Sequence, residues 1–195
     1  SIDLDNSTNP LRTIVFGAGC FWSVEKKFQE TFGVVDVKSG YADGKNIKPS
    51  YKEIIKSKNR FNPNNYAEVV KVTYNSNKTS LENLLMTFFE MHDPTQLNRQ
   101  GNDIGVQYRY IILTSSKEES LLSSDIKVRY QELLSKKGYG PIRTVIKELT
   151  NFYLAENYHQ DYLEKNPTGY CPDNSTGVVF SKKIKNISNN QDLLI

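Results

Sequence analysis

Cys20, Cys171, His92 and His159 carry the readiest chemistry in this chain, which holds two cysteines and two histidines in 195 residues. Cys20 follows the apolar, β-rich run Leu11–Ala18 and the turn Gly17-Ala18-Gly19, and precedes Phe21, Val24, Phe28 and Phe32 at helical spacing. That order predicts a strand, a glycine turn and a helix whose first residues lie at the cysteine. The first N–H groups of a helix have no internal partner, and with the helix dipole they favour an anion, here a thiolate. A buried, inert cysteine at a strand end would fit the same local pattern. Cys171 lies in the turn-rich Gly169-Tyr170-Cys171-Pro172; two cysteines can close one disulfide at most, so this is no disulfide scaffold. Pairing Cys20 with His92 or His159 as base would make a cysteine hydrolase. All four together would make a redox or zinc module, but their spacing lacks the close ligand pairs of a zinc site.

The elements that must position Cys20 follow from pattern. After the first strand and helix, with Gly33 placed to stop it, Val34–Tyr41 reads as a strand, residues 42–65 as mostly loop, and Ala67–Tyr74 as a strand. Thr79 and Glu82 fit a capping box ahead of the stripe Leu81, Leu84, Leu85, Phe88 and Phe89. His92–Val106 reads as loop and Gln107–Leu113 as strand; Ser116 and Glu119 fit a second capping box, opening a helix to about Lys136. Thr144–Glu148 reads as a strand, and Asn151 as the cap of a last helix that stops before Asn166-Pro167. The first six elements run βαββαβ, which predicts an α+β fold, a ferredoxin-like two-layer sandwich with an extra C-terminal helix, strand and helix. Residues 1–10 are expected to be a flexible segment, 11–171 one catalytic domain and 172–195 a mobile tail.

Composition excludes several classes. Hydrophobic residues at 37% and charged residues at 24% describe a globular chain that can bury a core. The net charge of +3 comes from scattered lysines, so no nucleic-acid footprint is expected. No apolar run approaches the length of a membrane span, and Ser1–Pro10 is polar, so no membrane partner is expected and the expected compartment is the cytoplasm. The first residue is Ser, which is compatible with a targeting segment upstream.

Several motifs, colinear from about Thr13 to Cys171, resemble the peptide methionine sulfoxide reductase A family. Gly19-Cys20-Phe21-Trp22 is similar to the family's nucleophile signature, and Gly40-Tyr41-Ala42-Asp43-Gly44 to its Gly-Tyr-Ala-Gly-Gly stretch. Pro49-Ser50-Tyr51 resembles the segment of a substrate-binding tyrosine, and Tyr66-Ala67-Glu68-Val69-Val70 the segment of its acid. His92–Gln96 with Asn98–Arg109 resembles its longest loop, and Phe152–Gln160 with Asn166–Cys171 its C-terminal part. Three features depart from the pattern: Tyr66 stands where the family commonly has His, the interval from Tyr51 to Glu68 is about five residues longer through Asn59–Asn65, and no cysteine follows Cys171.

The resemblance implies reduction of the S epimer of methionine sulfoxide, free or in proteins, with Cys20 as nucleophile. A thiolate attacking sulfur displaces oxygen only if the oxygen is protonated, so an acid and hydroxyl donors must surround it. Glu68 is the candidate acid, since a carboxyl among apolar strand residues can stay protonated; a lone strand Glu is otherwise an exposed salt-bridge partner. Tyr51 and Tyr108 are the candidate donors, Asp103 orients the site, and Phe21 and Trp22 hold the S-methyl group. Attack leaves Cys20 as a sulfenic acid, with which Cys171 condenses as resolving thiol; thioredoxin then restores the dithiol. No cofactor and no metal are expected, and the chain is expected to act as a monomer. The 59–65 stretch is expected to be a surface excursion away from the reacting atoms.

Overall fold

A computed structural model describes residues 9–170 and 174–180. The strands are β1 (Leu11–Ala18), β2 (Val34–Ala42), β3 (Ala67–Asn75), β4 (Arg99–Gln100), β5 (Asp103–Ile104), β6 (Tyr110–Thr114), β7 (Val145–Glu148) and β8 (Phe152–Leu154). The helices are α1 (Phe21–Gln29), α2 (Tyr51–Ile54), α3 (Leu81–Glu90), α4 (Lys117–Lys136) and α5 (Tyr162–Lys165). Among the described residues the main sheet has six strands in the order β7-β6-β1-β3-β2-β8, and β4 and β5 form a separate hairpin. The β6–β7 pair is parallel and the others are antiparallel.

Strand parity decides what each face holds. Alternate residues of a strand point to opposite faces. On β3, Val70 and Val72 join the large core with Phe16 of β1, Phe28 of α1, Phe88 of α3 and Tyr130 of α4. Ala67 and Val69 join a smaller cluster with Val15, Ile111 and Leu113. Glu68 shares the parity of Val70 and Val72, so its carboxyl enters the large core's face near the start of α1.

Several boundaries differ from those read in the sequence, each for a local reason. α1 ends at Gln29, so Phe32 lies past it and is 74% exposed instead of continuing the apolar stripe. The cap of α3 is Ser80, whose hydroxyl accepts from Asn83 N, not Thr79. Ser116 does cap α4, accepting from Glu119 N, while Glu119 reaches back to Ser115 N. Residues 106–108 form a 3-10 turn, and β6 starts only at Tyr110. The 42–65 loop contains α2 and a 3-10 turn at 57–59.

The largest correction concerns the last helix. Asn151 does not cap one; its side chain accepts from Asp43 N at 2.9 Å and donates to Gly44 O at 3.1 Å. That bridge lays Phe152–Leu154 along the free edge of β2 as β8, and only a 3-10 turn at 157–159 and the short α5 follow. Within 172–195, expected to be mobile, residues 174–180 are packed. Tyr130 OH donates to Val178 O at 2.7 Å, Phe180 is buried, and Phe180 N donates to Glu90 Oε2 at 2.7 Å. Cys171 and residues 1–8 lie outside the described residues.

Candidate active site

Cys20 is the N-cap residue of α1, in extended backbone conformation. Each orphan donor at this helix start has a partner. Phe21 N donates to Glu68 Oε1 at 3.2 Å, and the Trp22 and Ser23 N–H groups point at the Cys20 sulfur. Cys20 N itself donates to Gln100 Oε1 at 2.9 Å. Gly19 makes this possible. It has φ +88, and a Cβ there would meet the Gln100 side chain at 2.5 Å.

Cys20 is 7% exposed and Glu68 2%. Burial pushes the Glu68 carboxyl up to about 8, against the Phe21 N–H and with help from Asp103. Burial first, and then the Glu68 carboxylate, push the Cys20 thiol well above its ordinary value, while the Trp22 and Ser23 N–H groups pull it down. Burial thus opposes the thiolate that the helix terminus alone favours. Desolvation and a neighbouring carboxylate outweigh two N–H dipoles. When Glu68 holds its proton that repulsion is gone and the dipoles remain, so protonated Glu68 and thiolate Cys20 are compatible neighbours.

Tyr51, Tyr108 and Asp103 converge on the same place. Tyr51 opens α2, whose cap Ser50 accepts from Glu53 N, and Tyr51 N donates to Glu156 Oε2 at 2.9 Å. Burial, with Glu68 and Cys20 close by, pushes its hydroxyl up to about 12. Tyr108 ends the 106–108 turn; burial, Glu68 and Asp103 push it up further. Both phenols keep their protons and can donate. Asp103 is raised by burial and pairs through its carboxylate with the Tyr170 hydroxyl. Asp103 faces Gln100 across the β4–β5 hairpin, so the residue that holds Cys20 N and the residue that takes Tyr170 share one small element. Asn174 lies against the same hairpin, where a Cβ on Gly101 would come 3.6 Å from its amide.

The aromatic wall is built around His159. Trp22 Nε1 donates to His159 Nδ1 at 3.0 Å and the indole stacks on Tyr162 at 3.8 Å. Phe21 and Tyr51 pack on the same imidazole at 5.1 and 4.5 Å. Phe21 is fully buried, so it forms the floor of the wall while half-buried Trp22 forms its rim. Glu156 ties the wall together, accepting from Tyr41 OH at 2.7 Å as well as from Tyr51 N.

Neither histidine is placed as a base for Cys20. His92 is buried with Nδ1 2.7 Å from Phe88 O, and burial lowers it to about 4. His159 Nδ1 is taken by Trp22, and its Nε2 faces Glu156 at 3.8 Å. Among the described residues no three His, Cys, Asp or Glu side chains gather as a metal site.

Gln100, Glu156 and Tyr170 were not singled out as site residues from the sequence, and His159 was weighed only as a base for Cys20 or a zinc ligand, not as the centre of the aromatic wall. Gln100 sits in a polar loop like its neighbours, and its partner Cys20 is 80 positions away. His159 carried a signal, a histidine among Phe152, Tyr153, Tyr158 and Tyr162, but the pattern read as one face of a helix that does not form. The 59–65 stretch is also closer to the site than expected. Arg60 O accepts from Val106 N at 2.7 Å, at the start of the turn that carries Tyr108. Asn59 and Asn65 are buried, Asn65 donating to Ile54 O and Asn59 O at 3.0 Å each.

A family model described as peptide methionine sulfoxide reductase matches residues 12–191. The human protein named mitochondrial peptide methionine sulfoxide reductase is 48% identical over 171 residues, covering 88% of this chain and 71% of that protein. The solved methionine sulfoxide reductase A of Corynebacterium diphtheriae matches with TM-score 0.76 at 39% identity, covering 87% of this chain and 82% of that one. Mxr1 of Saccharomyces cerevisiae, solved in complex with Trx2, matches with TM-score 0.55 at 26% identity, covering 85% and 89%.

Proposed function

Because this chain belongs to the peptide methionine sulfoxide reductase family, an oxidoreductase family, we propose that it reduces the S epimer of methionine sulfoxide, free or in proteins, with Cys20 as the attacking group. The observation that carries this reading is the Glu68 carboxyl, raised to about 8 and set against the first N–H of the helix that Cys20 caps. A carboxyl with that value holds its proton near neutral pH and can still release it.

The proposed steps balance as follows. The Cys20 thiolate attacks the sulfoxide sulfur while Glu68, with Tyr51 and Tyr108 as hydrogen-bond donors, protonates the oxygen. The S–O bond breaks as oxygen passes to the Cys20 sulfur, giving methionine and a sulfenic acid. Phe21 and Trp22 supply the apolar surface for the S-methyl group, and Asp103 holds the hairpin that carries Gln100. The Cys171 thiol then displaces hydroxide from the sulfenic sulfur, which leaves with a proton as water, and a Cys20–Cys171 disulfide results. A dithiol of the thioredoxin class reduces it; the yeast relative's complex with Trx2 supports that choice. We take residues 11–171 as the catalytic domain and the block β6-β1-β3-β2 as ferredoxin-like, a reading supported by its antiparallel order with α1 and α3 as connections.

NADPH consumption with thioredoxin, thioredoxin reductase and separated epimers tests the proposal. Turnover on the S epimer that is lost in a folded Cys20→Ser variant is the expected result. Equal use of both epimers, or Cys20→Ser activity within tenfold of the parent, would contradict it.

A further inference from the structure

Asp43 ends its strand in an unusual way. It has φ +61, in the left-handed region that favours glycine. Its carboxylate takes two cations at once, Arg109 Nη2 at 3.1 Å on Oδ2 and Lys147 Nζ at 2.9 Å on Oδ1. The Asp43 and Arg109 side chains are 14% and 16% exposed, so this pair is largely withdrawn from water, whereas Lys147 is half exposed.

The Arg109 guanidinium has a second task. Its Nη1 donates to Val106 O at 2.8 Å and its Nη2 also to Asp43 O at 2.7 Å. Val106 opens the 3-10 turn that Tyr108 closes, and Arg109 follows Tyr108 directly. The guanidinium therefore folds back under the turn and closes it, while Arg60 O takes the Val106 N–H at the turn's start. Asp43 is itself fixed through its N–H on Asn151. A chain of charge-assisted bonds thus runs from the end of β2 to the backbone that aims the Tyr108 side chain.

We propose that Asp43 is a positioning residue for the reduction. Through Arg109 it holds the 106–108 turn so that the Tyr108 hydroxyl stands beside Glu68 and Cys20. A glycine would satisfy the backbone at position 43 without strain and keep the carbonyl that accepts from Arg109 Nη2, yet it would leave the guanidinium without its carboxylate and so loosen the clasp on the turn. The inference rests on the reading of Tyr108 as a hydroxyl donor.

The test is a double-mutant cycle on the full chain, with Asp43→Gly, Tyr108→Phe and the pair, reading the single-turnover rate of methionine formation and KM separately. Asp43→Gly should slow the single turnover on the order of tenfold, with KM changed much less, since only the donor is misplaced. In the Tyr108→Phe background it should slow the reaction no further, because the hydroxyl it positions is gone. Asp43→Asn keeps the left-handed backbone and one hydrogen bond, so it should show a smaller loss with the same dependence on Tyr108, and it carries the test if the glycine variant does not fold. Equal losses with and without Tyr108, or no loss in either Asp43 variant, would overturn the inference while leaving Tyr108 as donor. A silent Tyr108→Phe would instead remove the donor reading and this inference with it.

Discussion

Glu68 lies on β3, between β1 and β2, on the same face as Val70 and Val72, and its carboxyl accepts from the Phe21 N–H. Burial without a cation is what raises its carboxyl to about 8. Glu68→Gln should therefore slow single-turnover methionine formation by roughly 10²–10⁴, the usual range for a positioned proton donor, with KM changed much less. In the parent the same rate should fall as pH rises through about 8, where Glu68 loses its proton. Stability carries the same signature. Between 4.5, the ordinary value, and about 8, the folded chain keeps a proton that the unfolded chain releases. The parent's unfolding free energy relative to Glu68→Gln should thus decline with rising pH across that window, by up to about 1.4 kcal/mol per pH unit, and level off above it. Urea melts of both proteins across the window check this; parallel curves would mean that Glu68 is not protonated in the fold. Cys20 was legible because strand, glycine turn and helix are contiguous in sequence. The burial of Glu68 follows from strand parity. Gln100 and the role of His159 in the wall were not legible, because what makes them matter is a contact with a residue 80 or 137 positions away.

Elements with strong periodicity match the sequence reading, and those whose ends are set by long-range partners do not. α3 and α4 follow their apolar stripes, and the Ser116 cap is where its hydroxyl predicts. The last helix fails because Asn151 bonds to the end of β2, and a strand edge offers Phe152–Leu154 a ladder that helix propensity cannot match. The 59–65 segment fails in the other direction, since polar Asn-rich sequence reads as loop regardless of what its carbonyls accept. Here the Arg60 carbonyl satisfies Val106 N, and two buried asparagines stitch the segment to α2 and to itself. Trimming residues 60–64 should therefore cost on the order of tenfold in rate on free methionine sulfoxide with dithiothreitol as reductant, because the Val106 N–H at the start of the Tyr108 turn loses its acceptor. The midpoint of thermal unfolding should fall by several degrees. An unchanged rate would restore the picture of a surface excursion.

At the scale of the whole molecule, the fold brings distant pieces of chain to one helix terminus. The sheet order puts β3, with Glu68, beside β1, whose end leads into Cys20; β2 and β8 bring the Tyr51, Glu156 and His159 region to the same edge. The β4–β5 hairpin holds Cys20 N through Gln100 and receives Tyr170 on Asp103, with Asn174 against Gly101. The described residues on both sides of Cys171 therefore meet the element that holds Cys20 N, and Phe180 anchors the chain beyond them on α3 and α4. With Cys171 proposed as the one resolving thiol, the account is testable in one variant. Cys171→Ser, mixed with the S-sulfoxide of methionine and thioredoxin and quenched for mass analysis, should release about one methionine per enzyme and then stop. Its Cys20 peptide should be heavier by one oxygen, captured as the adduct of a sulfenic-acid reagent, and dithiothreitol should restore turnover. Methionine formed while Cys20 gains no oxygen would contradict the account, because the oxygen would have left the sulfoxide by a route that does not pass through the Cys20 sulfur.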